Sequence, residues 1–235
     1  MMRLAGRLVL VLALVTSLAA CAPQPTSQAD AGNLATPALR LTSGERRYVI
    51  DGGASTLHVH TYRGGKLARF GHNHVLNAKQ LRGTVALALD TVGSRFQLTV
   101  PLTSIEVDNP ALRAAAGSEF DSKPSPQDVL ATRGNMLGPD GLDVAVAPAA
   151  VIQGTVTEVS GTRAVLDMTV SVRKASHRQS VEVTVATGAD GLRISGTTSL
   201  KHSDFGIAPL SVMLGALTVK DKVDIRFELV ARPST

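Results

Sequence analysis

Four of the six histidines fall in one short interval, as the pairs His58-x-His60 and His72-x-His74. On a β-strand, residues two positions apart share a face, so each pair would present two imidazoles together. If the turn between the pairs places the two strands side by side, all four imidazoles could converge. Imidazole is a good ligand for zinc, copper or nickel. One hypothesis is therefore a metal site built from His58, His60, His72 and His74.

The same histidines have a simpler interpretation. His58 and His60 alternate with Leu57 and Val59, which places the two imidazoles on an outer, hydrated face or at a rim. Imidazoles in such positions serve as structural hydrogen-bonding groups or respond to pH. We favour this interpretation and keep metal binding as the alternative.

A second group of reactive residue types surrounds His177 and His202. Serines flank these histidines and Asp204 lies close by in the sequence, but no Gly-x-Ser-x-Gly element is present. A catalytic triad is recognised by its geometry, and residue types this common are often neighbours by chance. The chain also has no Gly-rich phosphate loop and no Cys-x-x-Cys pair. We therefore predict a protein that is not an enzyme and that requires no cofactor.

The only cysteine, Cys21, follows Leu-Ala-Ala at the end of a segment with a basic start and an apolar middle. Residues 1–20 have the features of a secretory signal peptide and are too short to span a bilayer as a permanent helix. The Leu-Ala-Ala-Cys sequence resembles the bacterial lipobox, in which the thiol is lipidated and the cysteine becomes the new N-terminus. We expect a periplasmic lipoprotein anchored in a membrane. Ala22, in the place of an aspartate, favours the outer membrane over the inner one.

Composition divides the rest of the chain into two parts. Residues 21–45 are rich in Ala, Pro, Ser, Thr and Gln, which predicts a lipidated N-terminus followed by a flexible tether. Residues 46–232 are predicted to form one domain. The net charge of +5 is spread along the chain without runs, which argues against a nucleic-acid surface. The chain has no Trp, two Tyr and five Phe, so a stacking platform for bases is not expected either.

Beyond the tether, apolar and polar residues alternate in short runs divided by turn residues, which predicts an all-β domain. In one such run Phe96, Leu98 and Val100 share a face. Successive side chains on a strand point to opposite faces, so each run has one buried and one hydrated face. About eight antiparallel strands, with a helical insertion near 111–116 and 126–135, would form either a closed barrel or a sandwich.

Several segments resemble the YceI-like family, and they occur in the family's order. They comprise 47–51, 54–59, Gly71-His72-Asn73-His74-Val75-Leu76, 81–85, Ser104-Ile105-Glu106-Val107-Asp108, 203–207 and 222–229. The resemblance covers roughly 47–231. It implies a lipocalin-like antiparallel β-barrel, exported to the periplasm, that holds a polyisoprenoid or a similar long apolar lipid and performs no chemistry.

The inward faces of the alternating runs are apolar and uncharged, so a cavity inside this barrel would be lipophilic. The predicted interior comprises Val85, Leu87, Phe96, Leu98, Val100, Leu166, Met168, Val170, Val172, Val183, Ile225 and Phe227. Apolar residues of the loop 201–215 would either cap the barrel end or form a mobile lid over the ligand entrance; they are Phe205, Ile207, Leu210 and Met213. Lys201 or Arg173 near such a mouth could contact a phosphate.

We therefore predict non-catalytic carriage or storage of a polyisoprenoid or quinone-like lipid inside the barrel. Two alternatives stay open, a metal-binding periplasmic protein and a structural or partner-binding lipoprotein with a filled barrel. The expected partners are the lipid ligand and, through the N-terminal lipid anchor, the membrane. Nucleic acid is not expected, and a homodimer is left open.

Overall fold

The computed structural model describes residues 39–234, which are mostly β-strand. The strands are β1 (Arg46–Ile50), β2 (Thr56–Thr61), β3 (Arg63–Gly64), β4 (His74–Asn77), β5 (Arg82–Leu87), β6 (Arg95–Pro101), β7 (Glu106–Val107), β8 (Ala149–Ser160), β9 (Arg163–Val172), β10 (Ala175–Gly188), β11 (Gly191–Lys201), β12 (Ser211–Val212), β13 (Leu217–Val219) and β14 (Lys222–Pro233). The helices are α1 (Pro110–Ala116) and α2 (Pro126–Leu137). In this part of the chain, neither helix combines the length and apolarity needed to cross a membrane.

Eight of the strands form a closed antiparallel barrel. Neighbouring strands follow the order β1, β5, β6, β8, β9, β10, β11 and β14, and β14 then pairs with β1, placing Arg232 opposite Val49. Closure removes the free edges that an open sheet would have. The prediction of an all-β, lipocalin-like barrel of about eight strands is confirmed, and the sandwich alternative is wrong. All these pairings lie within 46–233, so this stretch by itself supplies every strand of the closed barrel.

The sequence alternation corresponds to the two faces of the barrel wall. On β9, Met168, Val170 and Val172 are buried, whereas the side chains between them are only half-buried. The tight hairpins of the wall turn at Gly161 and Gly191, both of which have positive φ. Glycine adopts this conformation at little cost, so the long strands β8 to β11 can follow each other directly.

Three further strands extend the wall beyond the barrel. The long strand β14 pairs with β1 near its C-terminal end and with β2 through residues 224–228. β2 pairs with β4, and β4 with β7. A small separate sheet consists of β12, β13 and β3.

The helices lie in the long connection between β7 and β8, close to the predicted positions. Asn109 caps α1 by accepting from the N–H groups of Ala111 and Leu112, and Ser125 and Asp128 form a reciprocal capping box on α2. A proline follows each cap, where its fixed φ suits the first helical position. These caps place both helix starts where the sequence predicts them, whereas α2 runs on to Leu137.

The two ends of the barrel differ. At one end the strands are joined by short segments, 88–94, 161–162 and 189–190. The connections 102–148, which holds both helices, and 202–221 lie at the opposite end, which we call the loop end. The loop end has most of the chain that could cover the barrel or open it, so we expect the entrance to the interior at this end.

Candidate ligand cavity

The barrel encloses a cavity of about 580 Å³. Its wall is formed by predominantly apolar side chains from all eight barrel strands. A well-packed protein core leaves few voids larger than a water molecule, whereas ligand pockets measure about 300–1,000 Å³. The cavity therefore has the size and character of a site for an apolar ligand.

All but one of the side chains predicted for the interior line this cavity. They are Val85, Leu87, Phe96, Leu98, Val100, Leu166, Met168, Val170, Val172, Ile225 and Phe227. Val183 is the exception and corrects the prediction, because it is buried but does not reach the cavity. It lies opposite Gly196, and a Cβ at that glycine would be 2.8 Å from the Phe227 ring and 3.2 Å from Val183. The ring thus fills the space above the glycine and screens Val183 from the lumen.

Part of the lining comes from the helical insertion, which the sequence analysis did not place at the cavity. α2 and the segment after it contribute Thr132, Gly134, Asn135, Met136, Gly138, Pro139, Asp140, Gly141 and Leu142. The half-buried residues of α2 are 129, 132, 133, 136 and 137, the spacing of a helix with one packed face. That spacing was the sequence signal that could have identified the packed face of α2, although only three of the five positions are apolar. Since no residue of α2 is fully buried, the helix covers the cavity as a lid rather than as core.

Two arginines attach this lid to the barrel rim. The guanidinium of Arg133 donates to the carbonyl of Thr103 at 2.6 Å and also to that of Ile105. Arg173, in the turn between β9 and β10, donates to the carbonyl of Gly141 at 3.1 Å. Arg173 therefore holds the segment after α2, and its contact with a phosphate stays a prediction.

The predicted rim residues divide into two groups. Phe205 and Ile207 are buried and line the cavity, and Leu210 lines it while remaining 48% exposed. Met213 does not reach the cavity and is 66% exposed. Met213 and Leu214 both have positive φ and form the tip of the hairpin, where the Met213 side chain is exposed instead of lining the cavity. Met213 is therefore removed from the predicted rim.

The loop end also contains a buried polar cluster, which we define as His74, Asp108 and Arg113. His74 Nδ1 lies 2.6 Å from Asp108 Oδ2, and Arg113 Nη1 lies 2.5 Å from Asp108 Oδ1. The backbone N–H of Val75 donates to the same Oδ1 at 3.0 Å. From the sequence, His74 was a candidate metal ligand and Asp108 ended a segment that resembles the YceI-like family, whereas Arg113 carried no signal.

Arg113 connects the cluster to three segments of backbone. Its side chain is 7% exposed and donates to the carbonyls of Asn73 at 2.6 Å, Phe120 at 2.7 Å and Ser122 at 2.6 Å. A buried guanidinium is tolerated only when its donors are matched in this way. The arginine thereby fixes α1 and the turn at 118–122 against β4.

His74 links the cluster to the cavity. Its ring lines the cavity, and Nε2 lies 3.5 Å from the hydroxyl of Thr132 on the lid. Because the Asp108 carboxylate accepts from Nδ1–H, Nε2 of the neutral ring is an acceptor. The cluster thus presents one oriented polar atom at the edge of a predominantly apolar lining.

The surroundings of Asp108 shift its pKa. Burial alone would raise the pKa, but hydrogen bonds from His74, the Val75 N–H and Arg113 outweigh burial and lower it below the ordinary value of 3.8. A carboxyl whose pKa is lower in the folded state stabilises the fold when it is ionised. This stabilisation is present at neutral pH and is lost as the pH falls below the ordinary aspartate value.

The four clustered histidines do not form one site. The register of β2 and β4 pairs His60 with Val75 and Thr61 with His74, so His58 and His60 lie on the opposite face of the sheet from His74. Among the residues that the structure describes, no three His, Cys, Asp or Glu side chains are placed to hold a metal ion. A shift of one residue in register reverses every side chain of a strand, and this register separates the two pairs.

His60 also corrects the expectation of a hydrated face. Its side chain points away from the cavity, as the alternation indicates, but the residue is only 4% exposed. The ring of Phe120 lies 5.3 Å from the His60 ring, edge to face. The helical insertion therefore covers the outer face of β2, and burial lowers the pKa of His60 below its ordinary value of 6.5.

The serines near His177 and His202 have other partners. Ser203 donates its hydroxyl to Asp221 at 2.6 Å, and the hydroxyls of Ser176 and Ser171 pair with each other. His177 Nδ1 lies 3.7 Å from Asp204. The hydroxyls of Ser176 and Ser203 are therefore engaged by groups other than an imidazole, which gives no support to a catalytic triad here.

A family model for the YceI-like domain matches residues 48–231. The chain belongs to the YceI-like family. The matched span starts in β1 and ends in β14, so the YceI-like domain includes the cavity, its lid and the polar cluster. The predicted lipidation site, Cys21, and the predicted signal peptide lie outside the residues that the structure describes.

One solved structure, BcnA of Burkholderia cenocepacia, supports the assignment of the fold. The YceI-like chain is similar to BcnA of Burkholderia cenocepacia, with 16% identity and a TM-score of 0.55 over 77% of this chain and 98% of BcnA. It is also similar to the YCEI protein of Campylobacter jejuni, with 14% identity and a TM-score of 0.47 over 68% of this chain and 84% of that protein. None of the curated proteins matches the chain. At 16% identity, the likeness to BcnA concerns the fold alone.

Proposed function

We propose that this YceI-like protein binds a long apolar lipid, of the polyisoprenoid or quinone type, inside its barrel and carries or stores it without chemical change. The observation that carries the proposal is the apolar cavity of about 580 Å³ beneath a lid. Each square ångström of apolar surface removed from water contributes about 25 cal/mol, so a long hydrocarbon chain needs few specific contacts to bind firmly.

The cavity favours this function over the two alternatives. A purely structural barrel would be stabilised by filling its interior, because empty apolar space forfeits packing contacts. A metal-binding function would need several imidazoles in one place, and the register of β2 and β4 separates them.

The polar atoms at the loop end support a ligand with a polar head group. His74, Lys201 and His202 line the cavity near the lid, whereas the barrel wall is almost wholly apolar. We infer that the hydrocarbon chain lies along the barrel and that the head group lies at the loop end. In this arrangement the oriented His74 Nε2 would accept a hydrogen bond from a hydroxyl, or would bind a phosphate when protonated.

The cellular setting is also part of the proposal. We infer that Cys21 is lipidated and that the mature protein is attached to a membrane facing the periplasm, with the outer membrane favoured. The residues between the anchor and β1 would let the barrel reach lipids at some distance from its anchor.

Native mass spectrometry of the barrel domain, residues 39–235, tests the function. For this experiment the domain is expressed in bacterial cells with a cleavable export signal and purified without chelator or imidazole. We expect one adduct of several hundred daltons, roughly the mass of a single lipid that fits a pocket in the usual volume range. Organic extraction should release an isoprenoid or quinone. Exposure to an excess of ubiquinone or polyprenol should load any empty molecules.

Two results would contradict the proposal. A bare polypeptide mass that persists after exposure to these lipids would favour a structural or partner-binding role. An adduct of one metal mass, lost in a His72→Gln, His74→Gln double variant, would favour the metal-binding alternative.

A further inference from the structure

A hairpin at the loop end exposes apolar side chains in an unusual conformation. β12 and β13 are joined at Met213, Leu214 and Gly215, and all three residues have positive φ. Leu214 is fully exposed and Met213 is 66% exposed. Positive φ is strained for side chains of this size, and exposing them to water adds to the cost. Such a feature often marks a functional surface.

A second apolar residue group lies beside the hairpin. The loop after β3 approaches the hairpin closely, because the N–H of Leu67 donates to the carbonyl of Ala216 at 2.8 Å. The same loop carries Phe70, which is 64% exposed. We define the docking face as Phe70, Val212, Met213 and Leu214.

The docking face is bordered by positive charge. Lys66 and Arg69 lie on the loop, Arg63 begins β3, and Lys220 follows β13. Neither 52–89 nor 205–220 contains a single Asp or Glu. Among the residues that the structure describes, none of the four cations forms an ion pair with a carboxylate. An apolar tip with Lys and Arg side chains nearby, none of them neutralised by a carboxylate, is complementary to the hydrocarbon boundary and the anionic head groups of a bilayer.

The same hairpin is continuous with the cavity. Leu210, just before β12, and Val219, at the end of β13, both line the cavity, whereas the tip between them points outward. A surface that contacts the hairpin tip would therefore lie directly at the entrance to the barrel.

We propose that the docking face inserts into the head-group region of an anionic lipid bilayer, so that the mouth of the barrel opens onto the membrane. This contact is separate from the expected lipid anchor at Cys21. The docking proposal rests on the proposed function in one respect only: the contact would serve the exchange of a lipid between membrane and cavity.

Binding of the barrel domain to vesicles tests the proposal without any anchor. The probes are vesicles of phosphatidylethanolamine with phosphatidylglycerol, and vesicles of phosphatidylcholine alone. We expect the domain to sediment with the anionic vesicles, to bind neutral ones at least about tenfold more weakly, and to be released by salt. The double variant Met213→Asn, Leu214→Asn should bind about tenfold more weakly than the wild type, because asparagine accepts positive φ but removes the apolar insertion.

Matched controls lie at the opposite end of the barrel. Leu89 is 83% exposed there, and Leu89→Asn should leave vesicle binding unchanged. The double variant Lys66→Gln, Arg69→Gln should weaken binding by about fivefold for each cation removed, while Arg163→Gln should have no effect.

Equal vesicle binding by the wild type and the Met213, Leu214 double variant would overturn the proposal. A loss of vesicle binding in Leu89→Asn as large as that in the double variant would overturn it too. Lipid loading is measured separately by native mass spectrometry. A domain that binds vesicles through the hairpin but carries no lipid would support the docking face and contradict the proposed function. A domain that carries lipid but does not bind anionic vesicles would support the proposed function and contradict the docking face.

Discussion

The cavity and the polar cluster lie next to each other at the loop end, yet they depend on opposite kinds of interaction. The cavity wall consists of apolar side chains whose effect on a ligand is the sum of many contacts without direction. In the cluster, both Nη atoms of Arg113 and both carboxylate oxygens of Asp108 have defined partners at defined distances. The wall should therefore tolerate substitutions that change its shape but not substitutions that change its polarity. The cluster should tolerate neither kind of substitution.

The largest expected effect is a charge placed in the cavity wall. Val170 is 6% exposed and lines the cavity, so Val170→Arg would place an unpaired guanidinium in apolar surroundings. We expect lipid loading to be abolished in native mass spectra. Thr187→Arg, on an exposed position of β10, is the control and should load normally. Circular dichroism confirms that both variants are folded.

If Val170→Arg fails to fold, Ala164→Phe provides the same test by volume. Ala164 also lines the cavity, and a phenylalanine there would fill space without adding polarity. We expect a folded protein with reduced loading. Full loading of a folded Val170→Arg or Ala164→Phe protein would show that the ligand lies elsewhere.

The next effect is loss of the cluster's arginine. Arg113→Met would leave the buried Asp108 without its guanidinium partner, which typically costs about 3–5 kcal/mol of the free energy of unfolding. Denaturant titration measures the loss. Arg178→Met removes an exposed partner of Asp167 and is the control, with little expected change. An Arg113→Met protein as stable as the Arg178→Met control would mean that the cluster is not structural.

A smaller effect, on the rate of lipid release, should distinguish the role of the lid from that of the wall. Arg133→Ala removes two hydrogen bonds between α2 and the rim but no side chain from the cavity wall. We expect release of a fluorescent lipid to become about tenfold faster, which corresponds to roughly 1.4 kcal/mol, near the upper end of what one ordinary hydrogen bond contributes. Gln127→Ala, on the exposed side of α2, should not change the release rate. An unchanged rate in Arg133→Ala would show that ligand exit does not require movement of α2.

The smallest expected effect concerns pH. Burial lowers the pKa of His60 in the folded state, so below about pH 6.5 the unfolded chain binds a proton before the folded one does. The free energy of unfolding should therefore decrease as the pH falls from 6.5 toward the lower pKa of the folded state. Denaturant titrations across this range should show a shallower decrease for His60→Gln. The same pH dependence of the free energy of unfolding in the wild type and in His60→Gln would mean that burial at the outer face of β2 does not disfavour the charged form of His60.

Much of the fold could be predicted because strand alternation is a local property. The runs around Phe96, Leu166 and Ile225 show the inward face directly, since side chains alternate with a period of two. Val183 was mistaken because its distance from the lumen depends on Phe227, two strands away in the sheet. The face of α2 was missed because its packed stripe includes Thr132 and Arg133, which hydropathy does not identify as buried.

The sequence by itself determined the alternating strands, the apolar inward face, the helical insertion and the resemblance to the YceI-like family. Only the tertiary structure decided that the histidine pairs lie on opposite faces, because strand register depends on pairing between distant segments. It also decided that His74, Asp108 and Arg113 form one cluster, since that contact requires α1 to pack against β4. Local patterns specify which face of each element is apolar. Long-range packing specifies which polar atoms meet, because their meeting depends on the closed barrel as a whole.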